Sequence, residues 1–147
     1  MAARAWARRG ALDPVREDDA LARELLEWHR RYNVLYFGGQ LAPIAIRISS
    51  RMRTRLGQYT AASPYGEPAE IAISRAHIRR HGWAEALHTL LHEMVHQWQD
   101  ESGLPIDHGR AFRRKAREVG IAPAARRPVC SDVTPRRAAV GSPPLAR

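Results

Sequence analysis

The sequence predicts an α+β domain built on a small sheet, and three observations carry that prediction. Apolar residues return at helical spacing in one stretch near the start and in another past the middle. Between them, isoleucines alternate with smaller or polar residues, as in half-buried strands. Glycine and proline separate these segments, so helices and strands come in blocks rather than in strict alternation.

The first predicted helix covers residues 17 to 35. Leu21, Leu25, Trp28, Tyr32 and Leu35 share one side, and Glu17, Asp18 and Asp19 suit the positive end of its dipole. A turn at Gly38-Gly39 leads to a strand carrying Ile44, Ile46 and Ile48. A second strand runs from Leu56 to Thr60, and a third alternates through Ile71 and Ile73 before Ser74 and Arg75. At about 100° per residue, Trp83, Leu87, Leu90, Leu91, Met94, Val95 and Trp98 fill one continuous arc, which marks a buried helix. Gly103, Pro105 and Asp107 break it. Asp107 can then cap a last helix through Ala111, Phe112, Ala116 and Val119 to Gly120. The expected order is therefore an N-terminal helix, about three strands, a long buried helix and a final helix.

Length and composition fit one domain: 147 residues, 44% of them apolar, suffice for one core when the ends are left out. Residues 1 to 14 are rich in Ala and Arg, and residues 121 to 147 hold five prolines and almost no large apolar side chains. Both read as disordered arms around a domain at residues 15 to 120. No internal repeat is visible. No stretch has the apolar length of a membrane span, and no signal-peptide core follows Arg8-Arg9, so the expectation is a cytoplasmic protein.

The chemistry-bearing motif lies in the long buried helix, where His92 and His96 are one turn apart and Glu93 is next to the first. Residues four apart project from the same side, so two imidazoles can meet one ion with a carboxylate beside its open position. With 7 His and 9 Glu in the chain, the spacing arises by chance roughly once in fifty such sequences, so the pentapeptide alone is moderately specific. The apolar arc sharpens it, because His88, His92 and His96 form a stripe at its edge. A catalytic zinc needs a third protein ligand. His108 is the leading candidate, since the break after Trp98 can turn it back over the pair. His88 competes, but His88, His92 and His96 on one straight helix span about 12 Å and cannot close a tetrahedral shell. Asp107 and Asp100 are candidates to orient an imidazole, with capping the plainer role for Asp107.

These residues, with Tyr36-Phe37-Gly38-Gly39-Gln40-Leu41, Leu56-Gly57-Gln58-Tyr59, Ile71-Ala72-Ile73-Ser74, Leu91-His92-Glu93-Met94-Val95-His96 and His108-Gly109-Arg110-Ala111-Phe112, make the chain resemble the SprT-like (Spartan-type) zinc metalloprotease domain over about residues 20 to 119. The resemblance implies His92, His96 and His108 as zinc ligands and Glu93 as catalytic base. It also implies a protease acting on proteins bound or crosslinked to DNA. Many bacterial relatives carry a C-terminal zinc ribbon of paired cysteines; with Cys130 alone these residues cannot build one, and Cys130 reads as an incidental free thiol in a reducing cytosol.

If DNA is a partner, charge is the expected contact. The net +9 divides as +2 in residues 1 to 14, +3 in residues 15 to 120 and +4 in residues 121 to 147. Arg51, Arg53 and Arg55 alternate along one segment, and Arg110, Arg113, Arg114, Lys115 and Arg117 crowd the helix after His108. Such patches neutralise phosphates without reading sequence. The plain alternative is a solvated face in an arginine-favouring proteome, because 23 of the 24 basic residues are Arg. Trp83, Trp98 and Tyr59 could stack bases, although the helical arc assigns both tryptophans to the core.

The expected activity is thus zinc-dependent peptide hydrolysis with Glu93 moving the proton, and Tyr59, His88 or an arginine is the candidate second donor to the oxyanion. Two other readings stand beside it: a basic DNA- or protein-binding module with a structural zinc, and a peptide hydrolase indifferent to DNA.

Overall fold

Pro14 opens the first helix, a position where its fixed φ and missing N–H cost nothing. The computed structural model describes residues 14–121. The two expected arms therefore lie outside the described residues, apart from Pro14 and Ile121, as does Cys130.

Helix α1 spans Pro14–Phe37 and buries Leu25, His29 and Phe37, with Leu21, Ala22, Trp28 and Tyr32 packed against the same core. The expected inward Leu35 is instead 67% exposed. The chain doubles back after Phe37 through Gly38 and Gly39, both in left-handed backbone at φ 62° and 73°. The Asn33 side chain then donates to the Leu41 carbonyl at 2.9 Å and accepts from the Leu41 N–H at 3.0 Å. Leu41 beyond the clamp is buried, as is Phe37 before the turn, whereas Leu35 is not.

Three strands follow: β1 (Ala45–Ser49), β2 (Gly57–Thr60) and β3 (Glu70–Ser74). They form one sheet of order β1-β3-β2. β3 pairs in parallel with β1, Ile48 opposite Ile73, and antiparallel with β2, Tyr59 opposite Ile71. As the middle strand, β3 buries Ile71, Ala72, Ile73 and Ser74 in succession, so both of its faces are covered.

A helix that the periodicity did not predict, α2 (Arg75–His81), follows β3 directly. The Ser74 hydroxyl caps it by accepting from the His77 N–H at 3.2 Å. Gly82, at φ 86°, ends it and starts α3 (Trp83–Glu101). Helix α3 packs on α1, β2 and β3. The approach to β2 is close: a Cβ on Gly57 would stand 2.8 Å from the Thr89 methyl and 3.2 Å from the Ala72 carbonyl oxygen. Glycine is therefore needed where the strand crosses the helix. Gly103 (φ 72°) turns the chain after α3, with the Leu104 N–H donating to the Gln99 carbonyl at 2.8 Å.

The last helix, α4, spans Arg110–Glu118. Its N-cap is Gly109, not Asp107; Asp107 lies two residues before that cap, and its Oδ1 accepts from the Gly109 N–H at 2.9 Å. Leu25, Ile71, Ile73, Leu90, Met94, Val95, Phe112 and Ala116 are fully buried and join α1, the sheet, α3 and α4 in one core. Among the described residues, no helix is long and apolar enough to cross a membrane.

Candidate metal centre

Helix α3 presents His92 and His96 from one face, their ring centroids 5.1 Å apart. The turn after Gly103 and the N-terminus of α4 bring His108 back to them. His108 Nε2 lies 3.2 Å from His92 Nε2 and 3.1 Å from His96 Nε2. Phe112 lies against all three imidazoles: its ring centroid is 4.9 Å from that of His92, 4.8 Å from His96 and 4.7 Å from His108. The side chains are held in place by a fully buried ring on the helix that His108 introduces.

These three histidines could hold a metal ion, since one nitrogen from each lies within 4.8 Å of the others. Burial, and then the neighbouring imidazoles, push His92 down to about 3. Burial also lowers His96 and His108, against the pull of Asp107. All three are neutral near pH 7, which leaves lone pairs for coordination. His88, one turn earlier on α3, does not join them. Its Nδ1 is buried without a hydrogen-bond partner among the described residues, and burial lowers its affinity for protons.

Glu93 is 6% exposed. Burial raises its carboxyl to about 7, while a hydrogen bond with the Tyr59 backbone and the charge of Arg55 pull the other way. β2 thus lies beside the glutamate, and the 50–56 segment brings Arg55 into its field. The Tyr59 hydroxyl is engaged elsewhere: it donates to Asp100 Oδ2 at 2.6 Å, and burial followed by that bond raises its pKa. Asp100 accordingly meets a phenol, not the imidazole it was expected to orient.

The residue in contact with the imidazole is Gln99, which the motif does not single out. Its Oε1 lies 2.9 Å from His96 Nδ1, and its Nε2 donates to Asp107 Oδ1 at 3.4 Å. The three-residue spacing from His96, the same helical rule that pairs His92 with His96, is the available signal. Among the expected basic residues, Arg51, Arg53 and Arg55 are exposed, as are Arg110, Arg113, Arg114 and Arg117. Lys115 is not part of that patch. Its side chain is 14% exposed, and its ammonium lies 5.1 Å from the Phe37 ring centroid and 5.3 Å from the Trp98 ring centroid. Trp83 and Trp98 pack against the core, as the helical arc implied.

An α+β domain in which one helix and the connection after it converge three imidazoles holds a candidate metal centre. A model of the SprT-like family matches residues 25–134, about three quarters of the chain. The chain belongs to the SprT-like family. No curated protein matches it.

Proposed function

We propose that the protein is a zinc-dependent endopeptidase that cleaves proteins bound or crosslinked to DNA, with His92, His96 and His108 as metal ligands and Glu93 as general base. The observation that carries this reading is the convergence of three imidazole nitrogens, two from the helix that also carries the buried Glu93 and one from the connection after it. The donor set fits zinc: three borderline nitrogen ligands and, among the described residues, no thiolate and no ring of carboxylates at the cluster. Zinc bound there would supply Lewis acidity toward the scissile carbonyl and make a water molecule easier to deprotonate.

Glu93 takes the proton that the attacking water loses and delivers it to the nitrogen of the leaving amine as the C–N bond breaks. A carboxyl whose proton affinity lies near neutral pH can do both. For DNA, support comes from α4: Arg110, Arg113, Arg114 and Arg117 recur at helical spacing and are exposed, and the helix begins two residues after His108. Charges so placed would hold phosphates near the site without reading sequence. The same reading puts the protein in the cytoplasm.

The test incubates the zinc-loaded protein with a disordered basic protein, with and without DNA, beside a Glu93→Gln control. Cleavage that DNA stimulates and Glu93→Gln abolishes is the expected result. Equal cleavage with and without DNA would leave a DNA-independent peptide hydrolase. Bound zinc without cleavage would leave a binding module with a structural metal.

A further inference from the structure

His96 is the ligand whose second ring nitrogen has a defined partner, and that partner is an amide. Gln99 is fully buried on α3, one turn after His96, with its Oε1 2.9 Å from His96 Nδ1. A side-chain amide can either donate or accept at that position, depending on which way round it sits. Asp107 removes the ambiguity. A carboxylate only accepts, so the Gln99 amide nitrogen faces Asp107 Oδ1, at 3.4 Å, and its oxygen is left for the imidazole. An oxygen facing Nδ1 requires the proton on Nδ1 and leaves the Nε2 lone pair free. Nε2 is the atom that lies 3.1 Å from His108 Nε2.

Asp107 is itself held. Its Oδ1 also accepts from the Gly109 N–H at 2.9 Å, and a Cβ on residue 109 would stand 3.0 Å from that oxygen. The carboxylate therefore sits on the short connection that delivers His108. The same connection thus carries both the third imidazole and the carboxylate that faces the amide behind the second.

We propose that Gln99 is a positioning residue for the metal centre. Oriented by Asp107, it locks His96 in the Nδ1–H tautomer and so directs His96 Nε2 at the metal. This rests on the zinc reading above, but it concerns metal affinity and ring protonation, and can fail while that reading stands.

Two readouts test it, and neither needs peptidase activity. In the metal-free wild type at pH 8, nitrogen–proton NMR correlations of the imidazole should show His96 protonated at Nδ1; an Nε2–H tautomer would overturn the proposal. Zinc affinity, measured by competition with a chromophoric chelator, should fall about 10- to 100-fold in Gln99→Met, which keeps the buried volume but not the acceptor. Asp107→Ala should also weaken binding, whereas Asp107→Asn, which keeps an acceptor oxygen without the charge, should stay close to wild type. Asp107→Asn as weak as Asp107→Ala would make Asp107 a purely electrostatic contributor and defeat the relay, as would a folded Gln99→Met variant with wild-type affinity. Asp107 is exposed, so its pair of variants and the wild-type tautomer decide the matter even if Gln99→Met does not fold. A wild type that binds no zinc would instead refute the function proposed above.

Discussion

The phenyl ring of Phe112 stacks on the imidazole of His96, with centroids 4.8 Å apart and planes inclined by 28°. The same ring meets His92 and His108 at steeper angles, so one core side chain braces three metal-ligand candidates. Packing and site geometry are therefore coupled at this residue. Fully buried, Phe112 should cost about 3 to 5 kcal/mol of stability when changed to Ala, through reduced apolar burial and the cavity left behind. Phe112→Leu, which loses less volume, should remain folded but bind zinc more weakly, because the imidazoles lose a common support. Chemical denaturation and metal titration separate the two effects. A Phe112→Leu variant with unchanged zinc affinity would show that the ring serves the core alone.

His108 and His88 offer a direct test of the ligand set. His108→Ala should sharply lower zinc affinity, because its Nε2 closes the cluster over His92 and His96. His88→Ala should change affinity little, since His88 stands outside the three-histidine group. Metal analysis after dialysis reads both. The opposite ranking would refute the assignment.

Acid should unfold the metal-free protein through its histidines. Burial lowers the proton affinity of His29, His88, His92, His96 and His108, so below about pH 6.5 the unfolded chain binds protons that the folded chain refuses. Stability thus falls as pH drops through 6.5, and for His92, lowered to about 3, the full loss is on the order of 5 kcal/mol. Glu93, raised to about 7, acts in the other sense: between about pH 7 and 4.5 the folded state holds the extra proton, which adds stability on acidification, by about 3 kcal/mol. Thermal melts should show a steep decline below pH 4.5, where the Glu93 offset is exhausted and folded His92 still refuses its proton. Glu93→Gln should remove that offset and steepen the loss between pH 7 and 4.5. Stability that does not fall below pH 4.5 would contradict the burial of these imidazoles.

The residues legible in the sequence are those whose neighbours are set by local periodicity. Leu90, Leu91, Met94 and Val95 repeat at helical spacing and are buried, and His92 and His96 follow from the same geometry. His108 is legible because Gly103 and Pro105 leave a short connection and few ways to turn. Helix α2 is not, because Ser74 ends a strand and caps a helix at once, with no turn residue to mark the boundary. Leu35 misleads because periodicity does not say where the core ends: the chain doubles back at Gly38 and Gly39, and Leu35 is left 67% exposed. The sheet order β1-β3-β2 is equally invisible, since it follows from a parallel pairing of strands separated by β2. Gln99 is hidden because its role depends on Asp107, eight residues away across the same break.

Association with DNA through phosphates should weaken steeply with salt. Arg110, Arg113, Arg114 and Arg117 are exposed on α4, and among the described residues none of them makes an ion pair of the kind that joins Lys115 to Glu118 at 3.1 Å. Each arginine that neutralises a phosphate should contribute about −0.9 to the log–log salt slope on duplex DNA and about −0.7 on a single strand. Replacing all four with Gln should flatten the slope in proportion to the phosphates no longer neutralised and reduce DNA-stimulated cleavage, while zinc content stays unchanged because none of them is a proposed ligand. Removing residues 122 to 147, which carry a net +4, should flatten it further, since it subtracts charge while keeping the buried Ile121 and every proposed ligand. If the four-arginine variant keeps the wild-type slope and the truncated chain loses it, the tail is the contact and α4 is a solvated face. If cleavage is indifferent to both salt and DNA, the enzyme acts on peptides alone.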